Sequence, residues 1–98
     1  MIIEETSIPG LLIIQPKIHN DDRGYFFESY KNSDFELNNL STRFLQQNQA
    51  KSTRGVLRGL HYQLKYGQDK LVWVSKGEVM DVAVDIRKDS PTFGHYES

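Results

Sequence analysis

Apolar residues in this chain come in short runs separated by Gly, Pro, Asn and Asp, and the clearest periodicity is that of a strand. Residues 11–14 form an apolar run bounded by Pro9-Gly10 and Pro16, which predicts a strand. Asn20-Asp21-Asp22-Arg23-Gly24 is a dense turn signal. The aromatics within residues 24–30 favour a strand directly after it. Residues 43–50, 56–64, 70–75 and 78–87 read as further strands, the first of them polar. Lys76-Gly77 is placed to close a hairpin between the last two. In 78–87, Met80, Val82, Val84 and Ile86 alternate with Asp81, Ala83 and Asp85, the pattern of a strand with one buried face. Ser33-Asp34-Phe35-Glu36 fits a capping box, with Ser33 as N-cap and Glu36 at N3, opening a short helix through about residue 40. Ser90-Pro91-Thr92-Phe93-Gly94 is another turn, after which the chain stops with no closing element.

Many short strands, frequent turns and one short helix predict an all-β sandwich or barrel. A chain of 98 residues suffices for a single domain, 1–98, with a thin core that oligomerisation commonly reinforces. An unfinished sheet leaves edges that must pair with another chain or with further sequence.

Composition narrows the function classes. At 38% hydrophobic and 26% charged, the chain is globular rather than disordered. A net charge of -1 gives no general attraction to nucleic acid or an anionic membrane, although a few placed Arg and Lys can still hold a small anion. The absence of cysteine excludes disulfides, thiolate metal sites and a Cys nucleophile. No signal peptide or membrane span is recognisable, which makes the cytoplasm the default location. No glycine-rich phosphate loop or nucleophile elbow is present, so phosphate binding falls to Arg and Lys side chains. Arg suits that task through its bidentate fork.

Among the histidines, His19 and His95 lie in polar turn-like stretches and read as surface residues. His61 lies in a predicted strand, where it is either a core histidine satisfied by one hydrogen bond or a reactive base. Arg58 and His61 are three apart, on opposite faces of a regular strand. Gly59 between them marks a candidate bulge that turns both toward one cavity; otherwise Arg58 is solvated at the sheet edge. Lys70 is an ordinary surface lysine or an oxyanion stabiliser. Arg23 and Glu28 are solvated turn charges or ligand contacts, and Gln46-Gln47-Asn48 either reads a nucleobase edge or coats a strand. Asp81 and Asp85 share a strand face, and the plainer of their two readings sets both in solvent opposite the apolar stripe, with acid/base or metal work as the other.

Residues 55–63, Gly-Val-Leu-Arg-Gly-Leu-His-Tyr-Gln, together with 13–17, 22–29, 44–48, 51–52, 77–88 and 90–94, make the sequence resemble the dTDP-4-dehydrorhamnose 3,5-epimerases, the cupin-type deoxysugar-nucleotide epimerases of dTDP-L-rhamnose synthesis. The resemblance implies the N-terminal part of a cupin-like jelly-roll β-barrel. It implies that His61 is the base removing protons from C3 and C5 of a 4-keto sugar, and that Lys70 stabilises the enolate. Arg58 and Arg23 match contacts to the diphosphate and nucleotide, and Glu28, Gln46 and Asn48, with Gln47 between them, match contacts to thymidine. It also implies a dTDP-sugar as substrate, and no metal or other cofactor. The implied partner is a second copy, in a homodimer with exchanged N-terminal strands. In that dimer Arg23 and Glu28 serve the neighbouring subunit. Family members continue beyond the length of this chain, and the remainder carries a reprotonating Tyr and an Asp that orients the His. A reading from another class is a truncated, catalytically incomplete chain that only binds a nucleotide sugar or assembles as a β-dimer.

Overall fold

The computed structural model describes all 98 residues, Met1–Ser98. Its elements are short strands and one helix, and the strands pair as three separate two-stranded antiparallel sheets. Two compact units are present, Met1–Tyr30 with Val74–Ser98, and Lys31–Trp73. No helix is long and apolar enough to cross a membrane.

In the first unit β1 (Ile2–Glu5) pairs with β2 (Leu12–Gln15), with Ile3 opposite Ile14 and Glu5 opposite Leu12. The apolar run at 11–14 thus forms a strand, displaced by one residue. Its partner β1 has two isoleucines followed by two glutamates, a sequence without alternation that singles out no strand. The connection is tied by the Thr6 hydroxyl, which donates to the Leu11 carbonyl at 2.9 Å, and by the Leu11 N–H, which donates to the Ile8 carbonyl at 3.0 Å. These bonds curl Ile8 inward until it is only 5% exposed.

Strands β3 (His19–Asp21) and β4 (Gly24–Phe26) form a hairpin around the expected turn, with Asp21 opposite Gly24. The Arg23 N–H donates to Asp21 Oδ1 at 2.8 Å, the bond by which a turn aspartate mimics backbone. The aromatic strand ends at Phe26 rather than running to residue 30.

The expected strand at 78–87 is reduced to β5 (Ala83–Val84), and β6 (Tyr96–Glu97) pairs with it, so this part of the chain does have a closing element. The expected buried face is not buried, since Met80 is 81% and Ile86 51% exposed. Asp85 is buried instead, at 4%, while Asp81 is exposed, so the two aspartates do not both face solvent. The reason is a polar network. Asp85 Oδ1 accepts from the Arg87 N–H at 3.0 Å and from its Nε at 2.9 Å. Oδ2 accepts from Arg87 Nη2 at 3.0 Å, the Ser90 hydroxyl at 2.5 Å and the Thr92 hydroxyl at 2.6 Å. Arg87 Nη2 also donates to the Pro9 carbonyl at 2.8 Å, joining this loop to the β1–β2 turn. The Arg87 guanidinium, with the two hydroxyls, holds the Asp85 carboxyl well below the usual carboxylate range.

The helix α1 (Asn32–Leu37) belongs to the second unit. It begins earlier than the capping-box pattern predicts. Lys31 is the N-cap, without a side-chain cap, and Glu36 accepts instead from Asn32 Nδ2 at 2.7 Å. At the other end Asn39 has φ +55, the Leu40 N–H donates to the Phe35 carbonyl at 2.9 Å, and the Asn39 N–H donates to the Glu36 carbonyl at 3.1 Å. That is a Schellman stop with asparagine in the left-handed position. The helix buries Phe35 to 3% exposure, edge-on to Phe44 at 6.4 Å between ring centroids.

The runs 43–50, 56–64 and 70–75 form no strand, and Lys76-Gly77 closes no hairpin. Strand-forming side chains are there, but a strand exists only as one side of a ladder, and these runs have no partner within the 98 residues. Leu57, Leu64 and Val72 accordingly stay 93%, 89% and 64% exposed. The accessible surface is 9593 Å² for 11.4 kDa. One compact domain of that mass exposes about 5,800 Å², and two half-size domains about 7,000 Å² together.

Two outcomes test this account. Phe35→Ala removes the one buried apolar side chain of the Lys31–Trp73 unit, and is expected to cost about 3 kcal/mol or more, with loss of the α1 signal in circular dichroism. For Asp85 the folded carboxyl titrates below its unfolded value of about 3.9. Its contribution is therefore complete above about pH 4 and is lost as pH falls from there toward the folded value. Thermal melts should show Asp85→Asn lowering Tm at pH 7 and flattening the acid decline, and superimposable melting profiles for the two proteins would refute the network's role.

Candidate functional site

The Lys31–Trp73 unit holds most of the candidate residues. Thr53-Arg54-Gly55-Val56 is a tight turn, closed by the Val56 N–H donating to the Thr53 carbonyl at 3.3 Å. Gly55 has φ +86, which a type II turn requires at its third position and which glycine alone adopts freely. The turn folds Arg58 back on the preceding residues. Its Nε donates to Ser52 Oγ at 2.9 Å and its Nη2 to the Lys51 carbonyl at 3.1 Å.

Gly59 follows with φ +114, outside the range of other residues. A Cβ there would lie 3.8 Å from His61 Nδ1, an ordinary contact, so backbone conformation and not space selects glycine. The expected bulge is not formed, because a bulge interrupts a ladder and 56–64 has none. Gly59 nevertheless breaks the extended course between Arg58 and His61. His61 is exposed. Lys70 is exposed as well. Gln46 Nε2 donates to Asn48 Oδ1 at 3.1 Å, which orients both amides, and Gln47 between them is exposed.

Basic side chains outnumber acidic ones in this unit. Lys31, Arg43, Lys51, Arg54, Arg58, Lys65 and Lys70 are opposed within it only by Asp34, Glu36 and Asp69. The near-zero net charge of the whole chain conceals this excess.

Arg23 and Glu28 belong to the other unit. Arg23 Nη2 lies 2.6 Å from Asp21 Oδ2, with the Arg23 side chain 90% exposed. That bond holds the Asp21 carboxyl below its ordinary range. Asp21, Arg23, Gly24, Tyr25 and Phe26 line an open cleft of about 230 Å³, and Tyr25 stacks on Phe27 at 6.0 Å. Glu28 is exposed. No group of three or more His, Asp or Glu side chains is close enough to share a metal ion.

Sequence reasoning missed two features. The Ser52 and Lys51 contacts to Arg58 leave no trace in spacing, since they depend on the turn at Gly55. The buried Asp85 was readable from the Ser90 and Thr92 hydroxyls of the following turn and from Arg87, but only by setting aside the strand alternation.

Comparison with known proteins completes the picture. The family model described as dTDP-4-dehydrorhamnose 3,5-epimerase matches residues 5–98. A Shigella flexneri protein of that name is 54% identical over 98 residues, 98% of this chain and 54% of its own length. The Salmonella typhimurium protein of that name is 53% identical, with the same coverage of 98% and 54%. The one from Methanothermobacter thermautotrophicus is 50% identical over 92 residues, 94% of this chain and 50% of its own length. The chain thus spans about half the length of the curated relatives it matches. With the match running through the Gly55 turn, Arg58, His61, Lys70 and the Asp85 network alike, the chain belongs to the dTDP-4-dehydrorhamnose 3,5-epimerase family.

Proposed function

We propose that this chain carries the base-bearing part of an isomerase site that converts dTDP-4-dehydro-6-deoxy-D-glucose to dTDP-4-dehydro-L-rhamnose, in the synthesis of dTDP-L-rhamnose for cell-surface polysaccharide. The observation that carries the reading is the family match over residues 5–98, which includes His61. The C4 ketone of the substrate acidifies the protons on C3 and C5. His61 removes each proton in turn, and the electron pair moves onto the C4 oxygen as an enolate. The Lys70 ammonium stabilises that oxyanion. The proton then returns to the opposite face of each carbon from an acid outside these 98 residues, and the carboxylate that orients His61 lies outside them too. Arg58 holds the diphosphate together with Arg23 supplied by a second copy of the chain, while the amides of Gln46, Gln47 and Asn48, with Glu28 of that second copy, contact the thymidine. The excess of basic side chains in Lys31–Trp73 favours such an anion.

The same reading makes the protein a cytoplasmic homodimer with exchanged N-terminal strands, built on a cupin-like jelly roll. The unpaired strand-forming runs and the large exposed apolar surface support it. A second reading, in which these residues bind a nucleotide sugar or associate without turnover, is favoured by the same surface and by the half-length coverage of the relatives.

Incubation with dTDP-4-dehydro-6-deoxy-D-glucose in deuterated water separates the two. Deuterium is expected at C3 and C5, with His61→Ala lowering incorporation about 10²- to 10⁴-fold and Lys70→Met about 10²- to 10³-fold. Binding of dTDP without any exchange would establish the second reading instead. Sedimentation should give twice the monomer mass of 11.4 kDa; a monomer would remove the dimer.

A further inference from the structure

We infer that Ser52 is a positioning residue that fixes the Arg58 guanidinium so that its terminal fork is presented to a diphosphate; this rests on the reading of Arg58 given above. A guanidinium offers five N–H donors on two usable edges. The side edge is formed by the Nε–H and the nearer Nη2–H, the end edge by one N–H each of Nη1 and Nη2. In this structure the side edge is occupied, with Nε on Ser52 Oγ at 2.9 Å and Nη2 on the Lys51 carbonyl at 3.1 Å. The end edge and the outer Nη1–H are left for a ligand, and that fork matches two oxygens of a phosphate.

The arrangement has a local cause. Gly55, at φ +86, closes the turn that brings Arg58 back over 51–52. A freely rotating arginine loses side-chain entropy when it grips an anion, and anchoring one edge beforehand reduces that loss. The hydroxyl is well chosen. It accepts from Nε without adding a negative charge, whereas a carboxylate at Ser52 would neutralise the arginine and compete with the phosphate. The contrast within the same chain is Arg23, whose Nε and Nη2 are both engaged by the Asp21 carboxylate. Arg58 retains its full charge for a ligand and Arg23 shares its own.

Titration calorimetry of the full chain with dTDP and, separately, with thymidine tests the assignment. Ser52→Ala is expected to weaken dTDP binding about fivefold, the worth of one hydrogen bond, and to leave thymidine binding unchanged. Ser52→Thr, which keeps the hydroxyl, should restore dTDP affinity. In an Arg58→Ala background, Ser52→Ala should have no further effect. Equal weakening for both ligands would make Ser52 a structural residue and overturn the inference. So would unchanged dTDP affinity in Ser52→Ala alongside a loss in Arg58→Ala. Unchanged dTDP affinity in Arg58→Ala, or a wild-type chain that takes up neither ligand, would instead overturn the reading of Arg58 itself.

Discussion

The carboxylate of Asp85 organises more of this structure than any apolar contact does. Both of its oxygens are saturated by Arg87, Ser90 and Thr92, while its backbone N–H and carbonyl bond to His95 and Gly94. Those bonds set the loop that turns β6 back against β5. Through Arg87 the network also holds the Pro9 carbonyl, and so the curl that buries Ile8. A buried charge is costly unless paired and fully hydrogen-bonded, and this one is both. In a unit whose only buried apolar side chain is Ile8, a saturated ion pair takes the organising role that a hydrophobic core ordinarily has. Ser7 adds a parallel tie, its N–H donating to Glu97 Oε1 at 3.0 Å from the far end of the chain.

That dependence on polar contacts follows from how little apolar surface is buried. Ile8 and Phe35 are the buried apolar side chains, although 38% of the residues are hydrophobic. The excess surface is not spread evenly. It concentrates on runs of strand composition, where Leu57, Leu60, Tyr62 and Leu64 are 93%, 72%, 67% and 89% exposed. Leu60, Tyr62 and Leu64 alternate as one face of a strand does, so the missing element is a facing strand rather than a suitable sequence. Relatives about twice this length have residues in which such facing strands can lie.

What could be read in advance divides along the same line. Local signals were legible. The Asp21-Asp22-Arg23-Gly24 turn, the strand beside Pro9-Gly10 and the helix around Phe35 all formed, because each depends on backbone preferences within a few residues. The helix start was misplaced because Asn32 offered Glu36 a bond that the capping box assigned elsewhere. Non-local pairings were not legible. β1 and β6 have no pattern of their own and exist because β2 and β5 lie beside them. The alternation in 78–87 was read as burying one face, and neither face is buried as a whole: Asp85 alone goes inside, held by three side chains beyond β5, while Asp81 stays exposed. At the candidate site the residue types were legible from motif resemblance, whereas the anchoring of Arg58 required the folded turn.

The chemistry proposed for His61 and Lys70 shares the deficiency of the sheet. A lysine about 4 Å from an enolate oxygen stabilises it by about 1 kcal/mol in bulk water and by about 4 kcal/mol at the effective dielectric of a protein site. Proton abstraction beside a ketone therefore requires water to be excluded from the base and the oxyanion partner. Both side chains are exposed in the 98-residue chain. The apolar residues flanking His61 are the surface on which a cover would pack. A strand paired along 56–64 would take up its backbone groups, and layers packed on the two faces of the completed sheet would bury Leu60 and Tyr62 on one face and lower the dielectric around His61 on the other. Completing and covering the sheet is then what dries the site. On the proposed role of His61, a partner surface that completes this sheet would also dry the imidazole.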